Sequence, residues 1–165
     1  MRFEVSHSFG VPPRELAEAL LDPSLQPSLT DIGGLHDRTV LSRHEQADGT
    51  MIREIRCVLA LEVSGVARSI LGDGEPAWVQ HETWNRERTH CDWVIQPEVG
   101  RDLLSASGVI DVAGSAQSST RTVAGDVKVR VPLYGGKVER WIVDGVTRAY
   151  GDEAERVSAW LEREE

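Results

Sequence analysis

The sequence predicts an α+β fold: one curved antiparallel sheet of about seven strands wrapped around a long C-terminal helix, with two short helices after the first strand. Three observations lead there. Residues 131–165 open with a Pro-Leu-Tyr-Gly-Gly hinge and continue with helical periodicity to the end. Val138, Trp141, Ile142, Gly145, Val146, Ala149, Tyr150, Ala154, Val157, Trp160 and Leu161 recur at steps of three and four, which predicts one buried stripe. Much of residues 39–131 alternates apolar and polar side chains with a period of two, broken by turn-forming sequences. Each alternating segment has one apolar face, so the sheet needs a cover, and only the C-terminal helix is long enough to supply it.

Taken in order, Arg2–Phe9 sets Phe3, Val5, His7 and Phe9 against Arg2, Glu4, Ser6 and Ser8, as a half-buried strand does. Pro12-Pro13 opens a helix, since proline is tolerated in a first turn, and Asp22-Pro23 ends it. Leu16, Ala17, Leu20 and Leu21 give that helix its apolar side. A second short helix is expected over 24–32, limited by Pro27, before Gly33-Gly34 breaks the chain. Asp48-Gly49 marks a hairpin between strands over 39–45 and 51–61, the latter with Ile55, Cys57, Leu59 and Leu61 on one face. Residues 64–71 are expected to form a short helix. Strands follow over 77–85, 90–97, 104–112 and 119–131, the last with Val123, Gly125, Val127, Val129 and Val131 facing one way. Consecutive strands joined by turns pair antiparallel.

Composition narrows the class. At 165 residues the chain is expected to form a single domain with one filled core. Its 40% hydrophobic and 27% charged residues suit a soluble globular protein. A formal net charge of −9 works against nucleic acid and anionic membranes, so no nucleic-acid partner is expected. No apolar run reaches membrane-spanning length and no signal-like segment opens the chain, so no stable membrane insertion is expected. Cys57 and Cys91 sit inside strand-like segments without a CxxC pair and read as reduced core thiols of a cytoplasmic protein.

The FEVSHSF strand, His81–Trp84 (HETW) and the VKVRVPLYGGKVERWIV junction at 127–143 resemble the START-like, or SRPBCC, superfamily. That superfamily includes the birch-pollen-allergen-like proteins and the aromatic polyketide cyclases, and an uncharacterised bacterial branch is the nearest match. The likeness covers essentially the whole chain. It implies a helix-grip fold with a deep cavity between sheet and final helix, and small hydrophobic or amphipathic ligands such as lipids, sterols or polyketides. It implies no one reaction, because function on a shared fold resides in the site.

The cavity wall is expected to include His7, Ile55, Leu59, Glu82, Trp84, Ile110, Val123, Trp141 and Gly145. Glu82 and Trp84 are two apart on one strand and share a side with Trp78 and Gln80. Facing the cavity, they would set a carboxylate and an indole N–H beside a ligand; the alternative puts Glu82 on the convex face. His7 reads first as a core histidine and only second as a functional one. Gly145, one turn from Trp141, either leaves room for ligand or receives a bulky strand residue. Gly108 and Gly125 are expected to serve as bulges or bends.

Metal and cofactor chemistry lack support. His81 and Glu82 diverge as strand neighbours, HExxH is absent, and Gly135-Gly136-Lys137 lacks the rest of a phosphate loop. No cofactor and no metal are expected. No GxSxG elbow is present, so no catalytic residue is assigned. The preferred reading is a binding module for a small hydrophobic ligand. A polyketide cyclase or dehydratase using His7, Glu82 or Arg121 is the alternative. An interaction protein with a filled core, compatible with a homodimer, is the third. Packing predicts that Trp141 is buried between sheet and helix, so that its removal costs about 3–5 kcal/mol.

Overall fold

The computed structural model describes residues 1–59 and 76–164. In order these form β1 (Arg2–Phe9), α1 (Pro13–Leu21), a 3₁₀ turn (Gln26–Leu29), β2 (Leu35–Glu45), β3 (Met51–Leu59), β4 (Ala77–Trp84), β5 (His90–Pro97), β6 (Leu104–Gly114), β7 (Ser119–Val129) and α2 (Gly135–Glu164). The expected helix over 64–71, and Leu61, fall outside the described residues.

The seven strands make one curved sheet in the order β1-β7-β6-β5-β4-β3-β2, antiparallel throughout. β1 and β2 are consecutive in the chain yet occupy opposite edges, and α1 with the 3₁₀ turn spans the distance between them. The second expected helix shrinks to that 3₁₀ turn. Pro27 lacks an N–H for an α-helical ladder, while Ile32 is drawn into a bridge with Leu35. β2 begins four residues earlier than its alternation suggests. Register shifts between Leu35/Asp37 and Val40/Ser42 break the two-residue period by which a strand is recognised.

Gly108 and Gly125 are not bulges, for they pair with each other in an unbroken β6–β7 ladder. A Cβ on either would lie within 2.7 Å of Cζ2 of Trp93, so both glycines give a floor on which the indole lies. Phe3 meets the same ring, centroids 6.2 Å apart.

α2 runs about 45 Å at 1.5 Å per residue. Its main contacts are with β7 and β1, and with α1 and the 3₁₀ turn. Ala154, Val157 and Leu161 in its C-terminal half are buried in the core with Phe9, Leu16 and Leu25. The expected buried stripe does not run the whole length. Val138, Ile142, Val146 and Tyr150 are only half-buried, and Trp141 is 39% exposed, which corrects the expectation of a covered ring. Polar links hold the helix to the rest of the chain at several points. Glu139 Oε1 accepts the Val129 N–H at 2.9 Å, and Arg156 donates to the Ser28 carbonyl at 2.6 Å. Gly33 makes a third contact: at φ 51° its Cα approaches α2 so closely that a Cβ would sit 2.2 Å from Ala149 Cα, and its N–H donates to Asp152 at 2.7 Å.

Candidate functional site

Because α2 rests chiefly on β1 and β7, the concave face of β3–β5 is left uncovered beneath the helix's N-terminal half. A cavity of about 370 Å³ occupies that space, within the range of small-molecule sites. β3 supplies Ile55, Cys57 and Leu59, β4 supplies Trp78, Gln80, Glu82 and Trp84, and β5 supplies Trp93 and Ile95. β6 adds Leu104, Ala106 and Ile110, while Trp141, Ile142, Gly145, Val146, Ala149 and Tyr150 form the opposite wall from α2. Strand alternation accounts for this composition, since every second residue of each strand points inward.

Seven residues expected on the wall are found there: Ile55, Leu59, Glu82, Trp84, Ile110, Trp141 and Gly145. Of the two alternatives for Glu82, the concave face is the one adopted. A Cβ built on Gly145 meets nothing within 4 Å among the described residues, so no described strand residue fills the gap beside this glycine. His7 and Val123 lie off the wall. Val123 is fully buried in the packed core, and His7 pairs across the β1–β7 ladder with Arg121. Both belong to the edge of the sheet that α2 grips.

Arg53 is a cavity-wall residue that sequence reasoning misses. It shares the inward face of β3 with Ile55, and an arginine on an otherwise apolar face is the signal that marks it. It sits opposite Glu82 in the β3–β4 register, and the two side chains, 5% and 2% exposed, form an ion pair at 2.7 Å. Trp84 Nε1 donates to the same Glu82 oxygen at 2.9 Å and Gln80 Nε2 to the other at 2.8 Å. Burial alone pushes the Glu82 carboxyl up. The Arg53 guanidinium, the two hydrogen bonds from Trp84 and Arg53, and the more distant Arg38 outweigh burial and hold it below the ordinary 4.5.

Arg53 Nη1 also donates to the Leu20 carbonyl at 3.2 Å, and Arg43 Nη1 to the Leu21 carbonyl at 2.8 Å. α1 has no basic residue in its last turn, so these sheet arginines serve its open C-terminal carbonyls. Gln26 joins the same cluster, donating to the Leu20 carbonyl at 3.2 Å and accepting from Arg38 Nη1.

A second polar group lies beneath the C-terminal half of α2. Arg121, 1% exposed, pairs with Glu153, donates to the Tyr150 carbonyl at 3.1 Å and lies against the rings of Phe9 and Tyr150. Burial raises the Tyr150 hydroxyl above its ordinary value, so it stays protonated. Burial and the Arg121 charge lower His7, against a smaller opposing pull from Glu153. Cys57 and Cys91 are free and buried, and burial pushes the Cys57 thiol up to about 12. Among the described residues no three His, Cys, Asp or Glu side chains gather to hold a metal ion, and no helix is long and apolar enough to cross a membrane.

The family described as "Protein of unknown function (DUF2505)" matches residues 4–161. The chain belongs to the DUF2505 family. No protein of curated function matches its sequence. Solved structures show what this DUF2505 chain resembles in fold. Protein TTHA0849 of Thermus thermophilus superposes with a TM-score of 0.69 at 15% identity, over 96% of this chain and 98% of that one. The Zhui aromatase/cyclase of a Streptomyces species, strain R1128, gives 0.69 at 13% identity, over 99% and 94%. A START superfamily protein of Mycobacterium smegmatis gives 0.63 at 10% identity, over 99% of each. The DUF2505 chain therefore has the START-like helix-grip fold.

Proposed function

We propose that the protein binds a small hydrophobic or amphipathic molecule, of lipid, sterol or polyketide-like type, in the cavity between the sheet and α2. The observation that carries this reading is the space that the described residues leave beside Gly145, on a wall built largely of apolar and indole side chains. Proteins normally fill such space, because packing in their interiors approaches crystal density. The START superfamily protein and the aromatase/cyclase named above share the architecture, and the second of these keeps cyclase chemistry in view beside binding.

Side-chain chemistry supports binding over catalysis. Among the described residues the wall carboxylates are Glu82 and Glu153, each engaged by an arginine, and His7 lies off the wall. General acid–base work needs a group free to exchange a proton within reach of the substrate. Native mass spectrometry of gently purified protein, followed by lipid and polyketide panels, tests the reading. The expected result is a stoichiometric small-molecule adduct that Gly145→Leu, which projects a side chain into the cavity, displaces. A wild-type chain that arrives empty and binds nothing from either panel would sink it.

A further inference from the structure

The charge on the cavity wall has a sign, and it opposes that of the whole protein. In a chain of net charge −9, the wall carries, among the described residues, four arginines, Arg38, Arg53, Arg121 and Arg148, against two glutamates, Glu82 and Glu153. Arg53 and Arg121 are engaged by those glutamates. Arg38 has no carboxylate partner among the described residues; its one hydrogen bond goes to the neutral Gln26. It stands at the end of the cavity where Gln26, Arg53 and the Leu20 carbonyl are joined by hydrogen bonds. A second wall group has unspent capacity of the same kind: Trp93, 6% exposed, keeps its Nε1–H without an acceptor. A guanidinium and an indole N–H are both donors only. Arg38 is half-buried, and the Trp93 N–H is the buried donor left unpaired, a cost that a ligand oxygen relieves.

We infer that the ligand is an anionic amphiphile, an apolar body bearing a carboxylate, with the carboxylate held by Arg38. This rests on the cavity being the binding site and adds the chemical class of its occupant. A planar guanidinium suits a carboxylate, and charge-assisted hydrogen bonds are stronger than neutral ones. The indole and aliphatic wall takes the body of the ligand.

Matched probes test this. Dodecanoate against dodecanol, and 2-naphthoate against 2-naphthalenemethanol, are titrated at pH 7.5 into wild-type protein, Arg38→Gln and Arg38→Lys. Calorimetry is read alongside the fluorescence of the wall tryptophans, and folding of each variant is checked by circular dichroism. The expected result is about tenfold tighter binding of each acid than its alcohol, a preference that shrinks with added salt. Arg38→Gln should abolish the preference, and Arg38→Lys should retain part of it. Equal binding of acid and alcohol by wild type overturns the anion assignment and leaves the cavity reading standing, as does a preference that survives Arg38→Gln. If Arg38→Gln does not fold, wild type and Arg38→Lys decide. Failure of all four probes to bind overturns the anion assignment, and the lipid and polyketide panels then decide the cavity reading.

Discussion

Glu82 shows how one side chain can be buried, charged and stable together. Its oxygens accept from Arg53, Trp84 and Gln80, so ionisation is matched on every side. Removing one partner of such a pair leaves the other uncompensated, and Glu82→Gln should cost about 3–5 kcal/mol in urea unfolding. A loss under 1 kcal/mol would mean that Arg53 is otherwise satisfied. Acid should act on Glu82 and His7 among other groups. The Glu82 pKa is depressed, so its contribution is present above 4.5 and lost as pH falls through the folded value. His7 is depressed below 6.5, so stability is full above 6.5 and declines as pH falls from there. Unfolding midpoints should therefore drop between about pH 6.5 and 5, and the slope should flatten in His7→Gln. An unchanged slope would remove His7 as its source. The sequence showed that Glu82 and Trp84 share a side, but not which side. Arg53 decides it, and its meaning emerges only once β3 and β4 are in register.

At the level of elements, α2 packs tightly over its second half and spans a hollow over its first. Two glycines report the difference. Gly33→Ala should cost about 2 kcal/mol or more, since the residue has a left-handed φ and its new methyl would meet the α2 backbone. Gly145→Ala should raise stability by up to about 1 kcal/mol, because helix propensity improves and nothing stands in the way. Thermal melts of the pair would separate docked helix from spanning helix, and opposite signs are expected. Trp141→Ala should cost about 1–2 kcal/mol instead of the 3–5 of a covered tryptophan, and should weaken ligand binding. Strand and helix positions were legible because alternation and the three-to-four spacing are local. Where bulges disturb β2, the local signal failed. The partial burial of α2 was not legible either, since periodicity identifies an apolar stripe without showing how far away its partner lies.

For the molecule as a whole, a cavity that holds a ligand makes stability depend on occupancy. A ligand at a hundred times its Kd should add about 2.7 kcal/mol, which raises Tm by several degrees for a chain of this size. Differential scanning fluorimetry with and without dodecanoate reads this directly, and Gly145→Leu should abolish the shift. Fold class could be inferred from the sequence because element order and one-sided strands constrain how layers stack. The hollow itself could not, since the volume left over is a difference between large packed quantities.

The sheet order has a further consequence during synthesis. β1 pairs only with β7, joining Arg2 to Asp126, while α1 carries the chain away toward the far edge. On the ribosome the first strand must wait for more than a hundred further residues to be translated before its hydrogen-bonding partner emerges. Through that interval Phe3, Val5 and Phe9 lack their native cover, so the nascent chain carries exposed apolar surface until the seventh strand arrives and closes the sheet.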